Sequence, residues 1–564
     1  MSQNTTKLSS VRYFDRRWFT RAMEILPGSI TWLTLLLPIL LSLIYPIAVA
    51  YFIIAYDLYW TIKSFRMSGY LVRGYRRLHL AQSVDWNGRL EQLRHLEGSL
   101  QEVKGQLAAM RQQHPSLASI WSITDRKTRL QYQELQSEVE RVAGLAERSD
   151  KIMDPATIYH AVVLATYNES MDILHPSVKS LTEVDFPLKQ IMLVVAYEER
   201  GGPETEANAH SLVAEFGDKF AMAIAVKHPD GMVGEVRGKG GNISFAGRVL
   251  TAEVLKRGID PERVVVTTFD SDHRAAKNYF SYLSYLYAID TKRVQRSYQP
   301  VPMFYNNIWD VPAPMRVIAT GNSFWLLMET MRPHRLRNFA AHAQSLKALI
   351  ATDYWSVTSI VEDGHQYWRT YFVFDGDHEV VPVFTPVYQD AVLAGTYLKT
   401  FQVQFLQLRR WAWGVSDFPF VVRNSLFNKQ IPWSNKAVQI GRLFESHFSW
   451  ATAPLILTFV GWLPLYLNRG FAYQSLAHNL PIITSRILTL ASVSIVITVL
   501  LSLISLPPKP ERYRKARFIG MVAQWALLPV VTICFGALAA LNSQTRLMFG
   551  KYLEFYVTEK ATKK

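Results

Sequence analysis

The chain has 564 residues, of which 49% are apolar and only 19% charged, with a formal net charge of +15. Soluble proteins carry roughly 25% charged residues, so the composition excludes an ordinary soluble chain, and the length exceeds one domain. The basic surplus fits an anionic membrane surface, the positive-inside rule and an anionic small ligand, with no need of nucleic acid; the single cysteine, Cys534, excludes an intrachain disulfide.

Residues 1–28 form a basic segment with Lys7, Arg12, Arg16, Arg17 and Arg21. Residues 29–62 follow as one apolar stretch broken by Pro38 and Pro46. As a single helix it would be about 50 Å long, against a hydrocarbon core of roughly 30 Å. Arg66, Arg73, Arg76 and Arg77 follow it, so both flanks are basic. That pattern predicts a transmembrane hairpin, 29–45 and 46–62, with both ends cytoplasmic; one kinked, tilted span is the alternative. Ala48-Val49-Ala50 has the form of a cleavage box, but the surrounding apolar stretch is too long for a secretory leader, and none is expected.

Residues 63–155 are expected to be a helical insert. Within 86–148, Leu90, Leu93, Leu100, Val103, Leu107 and Met110 recur at three- and four-residue steps, and Leu130, Leu135, Val139, Val142 and Leu145 repeat the pattern after His114-Pro115. This spacing predicts a helical hairpin or short coiled coil, packed on its own chain or serving self- or partner association.

Residues 156–390 read as an α/β domain. Strands are expected near 160–165, 191–196, 220–226 and 263–269, alternating with helical stretches, which implies a largely parallel sheet with ligands beyond its carboxyl ends. Residues 391–445 should hold interfacial helices, 446–541 a transmembrane region and 542–564 a tail. Apolar spans lie near 447–467, 486–507 and 519–541, and the basic link carrying Lys509, Arg512, Arg514, Lys515 and Arg517 should be cytoplasmic. Three full crossings would put the tail on the far side, unless one segment is re-entrant or 471–484 adds a crossing.

Several short strings carry chemistry. Asp270 and Asp272, in Phe269-Asp270-Ser271-Asp272-His273, follow an apolar strand and can hold a divalent cation between them. Gly238-Lys239-Gly240-Gly241-Asn242 lets backbone approach a phosphate beside a lysine charge. Glu362-Asp363 offers a general base. Gln407-Leu408-Arg409-Arg410-Trp411 sets a guanidinium for diphosphate beside a flat ring for a sugar. Phe555-Tyr556-Val557-Thr558-Glu559-Lys560 ends in a hydroxyl and a cation.

Taken in order, these strings resemble the D-x-D-H, T-E-D, Q-x-x-R-W and F-x-V-T-x-K motifs of cellulose synthase-like, membrane-integrated family 2 glycosyltransferases, over roughly residues 155–560. The resemblance implies an α/β nucleotide-sugar-binding domain of GT-A type flanked by transmembrane helices. It implies inverting transfer from a nucleotide-sugar, UDP-linked by expectation, to a growing glycan, with Mg²⁺ or Mn²⁺ held by Asp270 and Asp272. Asp363 would be the base, with Glu362 beside it. Donor contacts would come from Thr166, Tyr167 and Glu169, from Lys239, Asp270, Gln407 and Arg410, and from Thr558 and Lys560 in a gating loop. Trp411, Gly321 and Asn322 would face the acceptor. Two departures stand out. Val361 replaces the threonine of T-E-D, and Tyr197-Glu198-Glu199 stands where the family has a base-binding aspartate, which leaves the base open with Glu198 and Glu199 as its candidate contacts. The expected setting is a prokaryotic-type plasma membrane with the sheet domain cytoplasmic. Single-sugar transfer to a lipid-linked acceptor, or an inactive scaffold acting through 86–148, are the alternatives.

Overall fold

The computed structural model describes residues 17–114 and 126–556. Its centre is an eight-stranded sheet of order β3-β2-β1-β4-β7-β6-β8-β5. Tyr159–Thr166 (β1), Ile191–Glu198 (β2), Met222–His228 (β3) and Val264–Asp270 (β4) lie in parallel register. They are rich in β-branched residues because both faces are covered. Val162, Leu164, Leu193 and Val195 pack under one helical layer, and Ala161, Val163, Met192 and Val194 under the other.

The second half of the sheet is mixed. Arg274–Ala275 (β5) pairs antiparallel with Glu379–Tyr388 (β8), and Arg296–Met303 (β6) pairs parallel with β8. Ala343–Ser345 (β7), three residues long, runs antiparallel between β4 and β6. A largely parallel sheet is therefore right for β1–β4 and incomplete beyond them. The domain is an α/β domain, flanked by α-helices long and apolar enough to cross a membrane.

The insert is three helices, Trp86–Arg94, Leu96–Gln113 and Arg126–Ala146. It is anchored on its own sheet domain. Trp86 stacks on Tyr282 at 3.9 Å, and Leu90, Leu93, Val142 and Leu145 join the core on that face. The Arg141 guanidinium donates to the Tyr285 hydroxyl at 2.8 Å.

Four described helices have the length and apolarity to cross a membrane: Arg17–Ile44, Trp433–Leu467, Ser475–Ile504 and Arg517–Met548. Several boundaries differ from the sequence reading. The first span starts at Arg17, inside the expected basic segment. The second arm of the expected hairpin does not end at residue 62; it continues as one 38-residue helix, Pro46–Ser83, into the expected insert. Pro46 at its first turn and the non-helical backbone of Tyr45 explain the break before it, and nothing between 46 and 83 interrupts it. Gly74 shows why it runs on: a Cβ there would lie 2.9 Å from the Leu327 carbonyl, so this helix is pressed onto the sheet domain's helix Ala313–Thr330. At its other end Val49, Ala50 and Ile53 pack with Ile456, Val460, Ala477 and Leu480 of the apolar helices. The helix from Trp433 begins within the expected interfacial segment, and the last span reaches Met548, so the tail starts later than residue 542.

Candidate active site

The carboxyl ends of β1, β2 and β4 open onto one cluster of charge. The helix Lys239–Lys256 starts there, because Gly240 lets its first turn approach closely: a Cβ at 240 would meet the Ser356 carbonyl at 2.3 Å. The buried Asn242 amide donates to the Ala196 carbonyl at 2.9 Å and ties that turn to β2. Lys239 is thereby held in the middle of the site. Its Nζ lies 2.7 Å from Asp270 Oδ1, 3.9 Å from Glu362 Oε1 and 4.0 Å from Asp363 Oδ1. Burial works against its charge, but Asp270, Asp363 and Glu362 together outweigh it and hold the ammonium above its ordinary value.

Glu362 and Asp363 open the helix Glu362–Val373, where an N-terminus favours negative charge. Burial pushes both carboxyls up. For Glu362 the adjacent Asp363 adds to that, and it ends above the ordinary carboxylate range despite Lys239 and Arg410. For Asp363, Lys239 and then His342 outweigh burial, and it ends below. The pair is divided into one carboxyl that favours its proton and one that stays ionised.

His342 is a site residue the sequence reading missed. The Trp355 indole N–H donates to its Nε2 at 3.2 Å. That bond assigns the ring proton to Nδ1, which lies 2.9 Å from the Phe339 carbonyl and 3.4 Å from Asp363 Oδ1. His342 precedes β7 and is buried. Ala341 before it has φ +64°, and Asp353 and Tyr354 before Trp355 have φ +54° and +57°. Non-glycine residues adopt this region at a cost of order 1–3 kcal/mol each, and such strain concentrates at functional sites. Both partners of the Trp355–His342 bond are delivered by strained turns. The only sequence signal was a histidine in a run of small residues, Ala340-Ala341-His342-Ala343, with no motif around it.

The D-x-D-H string sits at the end of β4. The Asp270 N–H donates to His273 Nδ1 at 3.1 Å, and His273 Nε2 lies 3.5 Å from Asp270 Oδ2. Asp272 Oδ2 accepts from the Asp390 N–H at 2.7 Å. Ligand atoms of Asp270, Asp272 and His273 all lie within 4.8 Å of one another. Two carboxylates and an imidazole at that spacing fit a divalent cation such as Mg²⁺ or Mn²⁺.

The Q-x-x-R-W string lies on the helix Tyr397–Ala412. Arg410 reaches the site: it is near enough to act on Glu362, and its guanidinium lies 4.7 Å from the centre of the Phe555 ring. Phe555 also explains Gly238, where a Cβ would stand 3.1 Å from that ring. The start of the tail is therefore packed directly between two motifs. Gln407 accepts from the Gln404 amide, and Trp411 faces Phe304 just beyond β6, at 6.2 Å between ring centres. Thr558 and Lys560 lie outside the described residues.

Thr166-Tyr167-Asn168-Glu169, at the end of β1, is arranged differently from the expected donor contacts. Glu169 folds back, and its Oε2 accepts from the Thr166 hydroxyl and the Tyr167 N–H, both at 2.8 Å. It fixes the turn instead of reaching outward. Arg200, also missed, covers the Tyr167 ring at 4.4 Å and pairs with Glu198. Glu199 accepts from the Asp230 N–H at 3.1 Å. Gly321 and Asn322 are in the middle of the helix Ala313–Thr330, and among the described contacts none joins them to the carboxylate cluster. Arg316, on the same helix, bonds Gln524 of a candidate span, so the helix serves the membrane side there.

No protein-family model matches this chain, and no curated protein matches it. Among solved structures, mannosyltransferase PcManGT from Pyrobaculum calidifontis in complex with GDP-Man and Mn²⁺ aligns over 71% of this chain and 89% of its own, at 13% identity and a TM-score of 0.39. The 1–349 fragment of S. aureus TarS aligns over 70% of this chain and 93% of its own, at 14% identity and a TM-score of 0.32. GalNAc-T7 with UDP, GalNAc and Mn²⁺ aligns over 54% and 58%, at 11% identity and a TM-score of 0.28. These likenesses are distant.

Proposed function

We propose that the protein is a membrane-integrated inverting glycosyltransferase of cellulose synthase-like type, using a nucleotide-sugar, UDP-linked by preference, to extend a β-glycan processively. The observation that carries this reading is the convergence of Lys239, Asp270, Glu362, Asp363 and Arg410 at the carboxyl ends of parallel strands, with Phe555 of the tail packed on Arg410. Asp270, Asp272 and Asp363 stand with the protonation-prone Glu362 against two side-chain cations, Lys239 and Arg410, groups suited to a dication and a diphosphate.

In this reading Asp363 is the base. It takes the proton from the acceptor hydroxyl as that oxygen attacks the anomeric carbon, and the nucleoside diphosphate leaves from the opposite side. A single displacement inverts the centre, so an α-linked donor yields a β-glycoside. His342 holds the Asp363 carboxylate in orientation. Lys239 and Arg410 meet the charge that develops on the leaving diphosphate. Asp270 and Asp272 would hold Mg²⁺ or Mn²⁺, which when bound supplies Lewis-acid neutralisation of that diphosphate. Tyr167, Glu198 and Glu199 would line the nucleoside end and Trp411 the acceptor side. The sheet domain and both termini are assigned to the cytoplasmic face, where nucleotide-sugars are available.

Incubating the purified protein with a panel of labelled nucleotide-sugars and Mg²⁺ or Mn²⁺, then sizing the product, tests this. Polymer whose length grows with time supports it. Addition of one sugar to a lipid fraction would move the assignment to single transfer, and release of no nucleotide from any donor would overturn catalysis altogether.

A further inference from the structure

About 20 Å along its own helix from Trp411, by the helical rise of 14 residues, the N-terminal end of Tyr397–Ala412 borders a second, separate cavity. Its volume is about 330 Å³, and its walls include Asp310, Arg316, Tyr397, Phe401, Tyr513 and Arg517. It lies where the basic link 505–516 meets the sheet domain and the apolar helix Arg517–Met548 begins.

The charges in this cavity are unbalanced. Arg316 is buried and donates to the Gln524 side-chain oxygen at 2.5 Å and to the Val311 carbonyl at 2.6 Å. Arg517 donates to the Trp309 carbonyl at 2.9 Å. All these acceptors are neutral. Asp310 is the one acid in the wall, and its Oδ1 is taken by Arg512 and the Tyr513 hydroxyl, each at 2.6 Å. Among the described residues no carboxylate pairs with Arg316 or Arg517. Burial, and then the charge of Arg517, bring the Arg316 guanidinium down to about 10. Two guanidiniums brought together without a shared acid make a site for an anion.

The surroundings say which kind. Immediately after Arg517 the helix turns apolar side chains outward: Phe518, Ile519 and Val522 are exposed, Ile519 at 73%. Tyr397, Tyr513 and Phe401 line the cavity, and tyrosine is a residue type enriched at the headgroup level of a bilayer. Guanidiniums and aromatic rings in one cavity, next to the start of a helix with exposed apolar side chains, match a phosphate head group continuous with acyl chains. We infer that this cavity is a binding site for the phosphate head group of an anionic membrane lipid, held by Arg316 and Arg517 and distinct from the sugar-transfer centre. It goes beyond the transfer reaction and does not depend on it.

The test uses the full-length protein in detergent, titrated with short-chain phosphatidic acid, short-chain phosphatidylcholine or inorganic phosphate, with bound copies counted by native mass spectrometry. One saturable copy of phosphatidic acid is expected beyond any phosphatidylcholine. Arg517→Gln and Arg316→Gln should each weaken it by about tenfold or more, the scale of one charge-assisted hydrogen bond, while Arg514→Gln, exposed on the same link, should not. If Arg316→Gln does not fold, Arg517→Gln decides alone. Undiminished binding in Arg517→Gln, or an equal loss in Arg514→Gln, would overturn the site. Inorganic phosphate competing at the same concentration as the lipid would overturn the lipid assignment in favour of a free anion.

Discussion

Glu362 and Asp363 are adjacent, both buried, and yet driven in opposite directions. Burial acts on each in the same sense, so the division comes from partners: Lys239 and His342 favour the charge on Asp363, while Glu362 bears the repulsion of its neighbour. If Asp363 is the base, Asp363→Asn should leave donor KM nearly unchanged and lower kcat by about 10²- to 10⁴-fold. Normal turnover with a weakened donor would reassign it to binding. His342 is separable from that role. His342→Ala should lower kcat by about tenfold with little change in KM, as expected when the imidazole 3.4 Å from the base no longer favours its charge. A depressed carboxyl stays ionised until the pH falls through its lowered value, and activity is lost below it. Removing His342, which favours the Asp363 charge, raises that value, so the acid limb of kcat/KM should move to higher pH. His342→Gln, which keeps a donor, should restore part of the shift. The limb is set jointly by Lys239, Glu362, Asp270 and His342, which all face Asp363; an unmoved limb in His342→Ala would make the histidine a packing residue only.

At the scale of elements, strands buried on both faces announce themselves. His160 to Ala165 and Ile191 to Ala196 are continuous apolar runs, and they became β1 and β2 within a residue or two. D-x-D, Glu362-Asp363 and Arg410 converge in space because each lies at or near the end of an element, of which the strand before D-x-D was readable and the helix Glu362–Val373 was not. What escaped is short or tertiary. β7 has three residues, Ala343-Gln344-Ser345, with no periodicity to read, and His342 is set by its turn. Glu169 caps its own turn through the Thr166 hydroxyl and the Tyr167 N–H, a choice that the bare string of residues does not distinguish from an outward one. Pro46–Ser83 exceeded its expected length because basic residues mark where lipid ends, and a helix can continue past that point. The core strand also holds a pH liability. His160 in β1 is fully buried beside Ser284, and burial brings it down to about 3 from an ordinary 6.5; burial likewise brings His378 to about 3. The unfolded chain binds those protons below about pH 6.5 and the folded chain does not until about 3. Stability is thus whole above 6.5 and lost as pH falls through that window, by about 1.4 kcal/mol per unit for each histidine. Heat denaturation from pH 7.5 to 4.5 should show Tm falling, with the slope reduced in His160→Leu; an equal slope in that variant would assign the acid sensitivity elsewhere.

Across the whole molecule, the tail joins membrane helices to chemistry. Arg21, on the first span, donates to the Leu547 carbonyl at 2.7 Å and to that of Met548, closing the end of the last span against the beginning of the first. Tyr552 donates to Glu24 at 3.0 Å on that same first helix. Leu553 is buried with Ile360, Trp413 and Leu547, one residue short of the Val361-Glu362-Asp363 turn on one side and two residues past Trp411 on the other. Phe555 then reaches Arg410 and Gly238, and Tyr556 packs with Val392, Ala394 and Val403. The chain that leaves the last span is therefore led, contact by contact, across the top of the carboxylate cluster. If, as proposed, Arg410 meets a donor diphosphate, ring and ligand would compete for the guanidinium that Phe555 covers at 4.7 Å. Phe555→Ala removes a cation–π contact of roughly 0.5–2 kcal/mol and frees that guanidinium. Its expected result is a folded, membrane-inserted enzyme that binds and releases nucleotide faster but makes shorter product, because closure between additions is lost. Donor association measured by stopped flow and product length by gel sizing check the two halves separately. Faster exchange with unchanged length would make the ring a simple obstacle, and unchanged exchange with unchanged length would remove the tail from the reaction cycle.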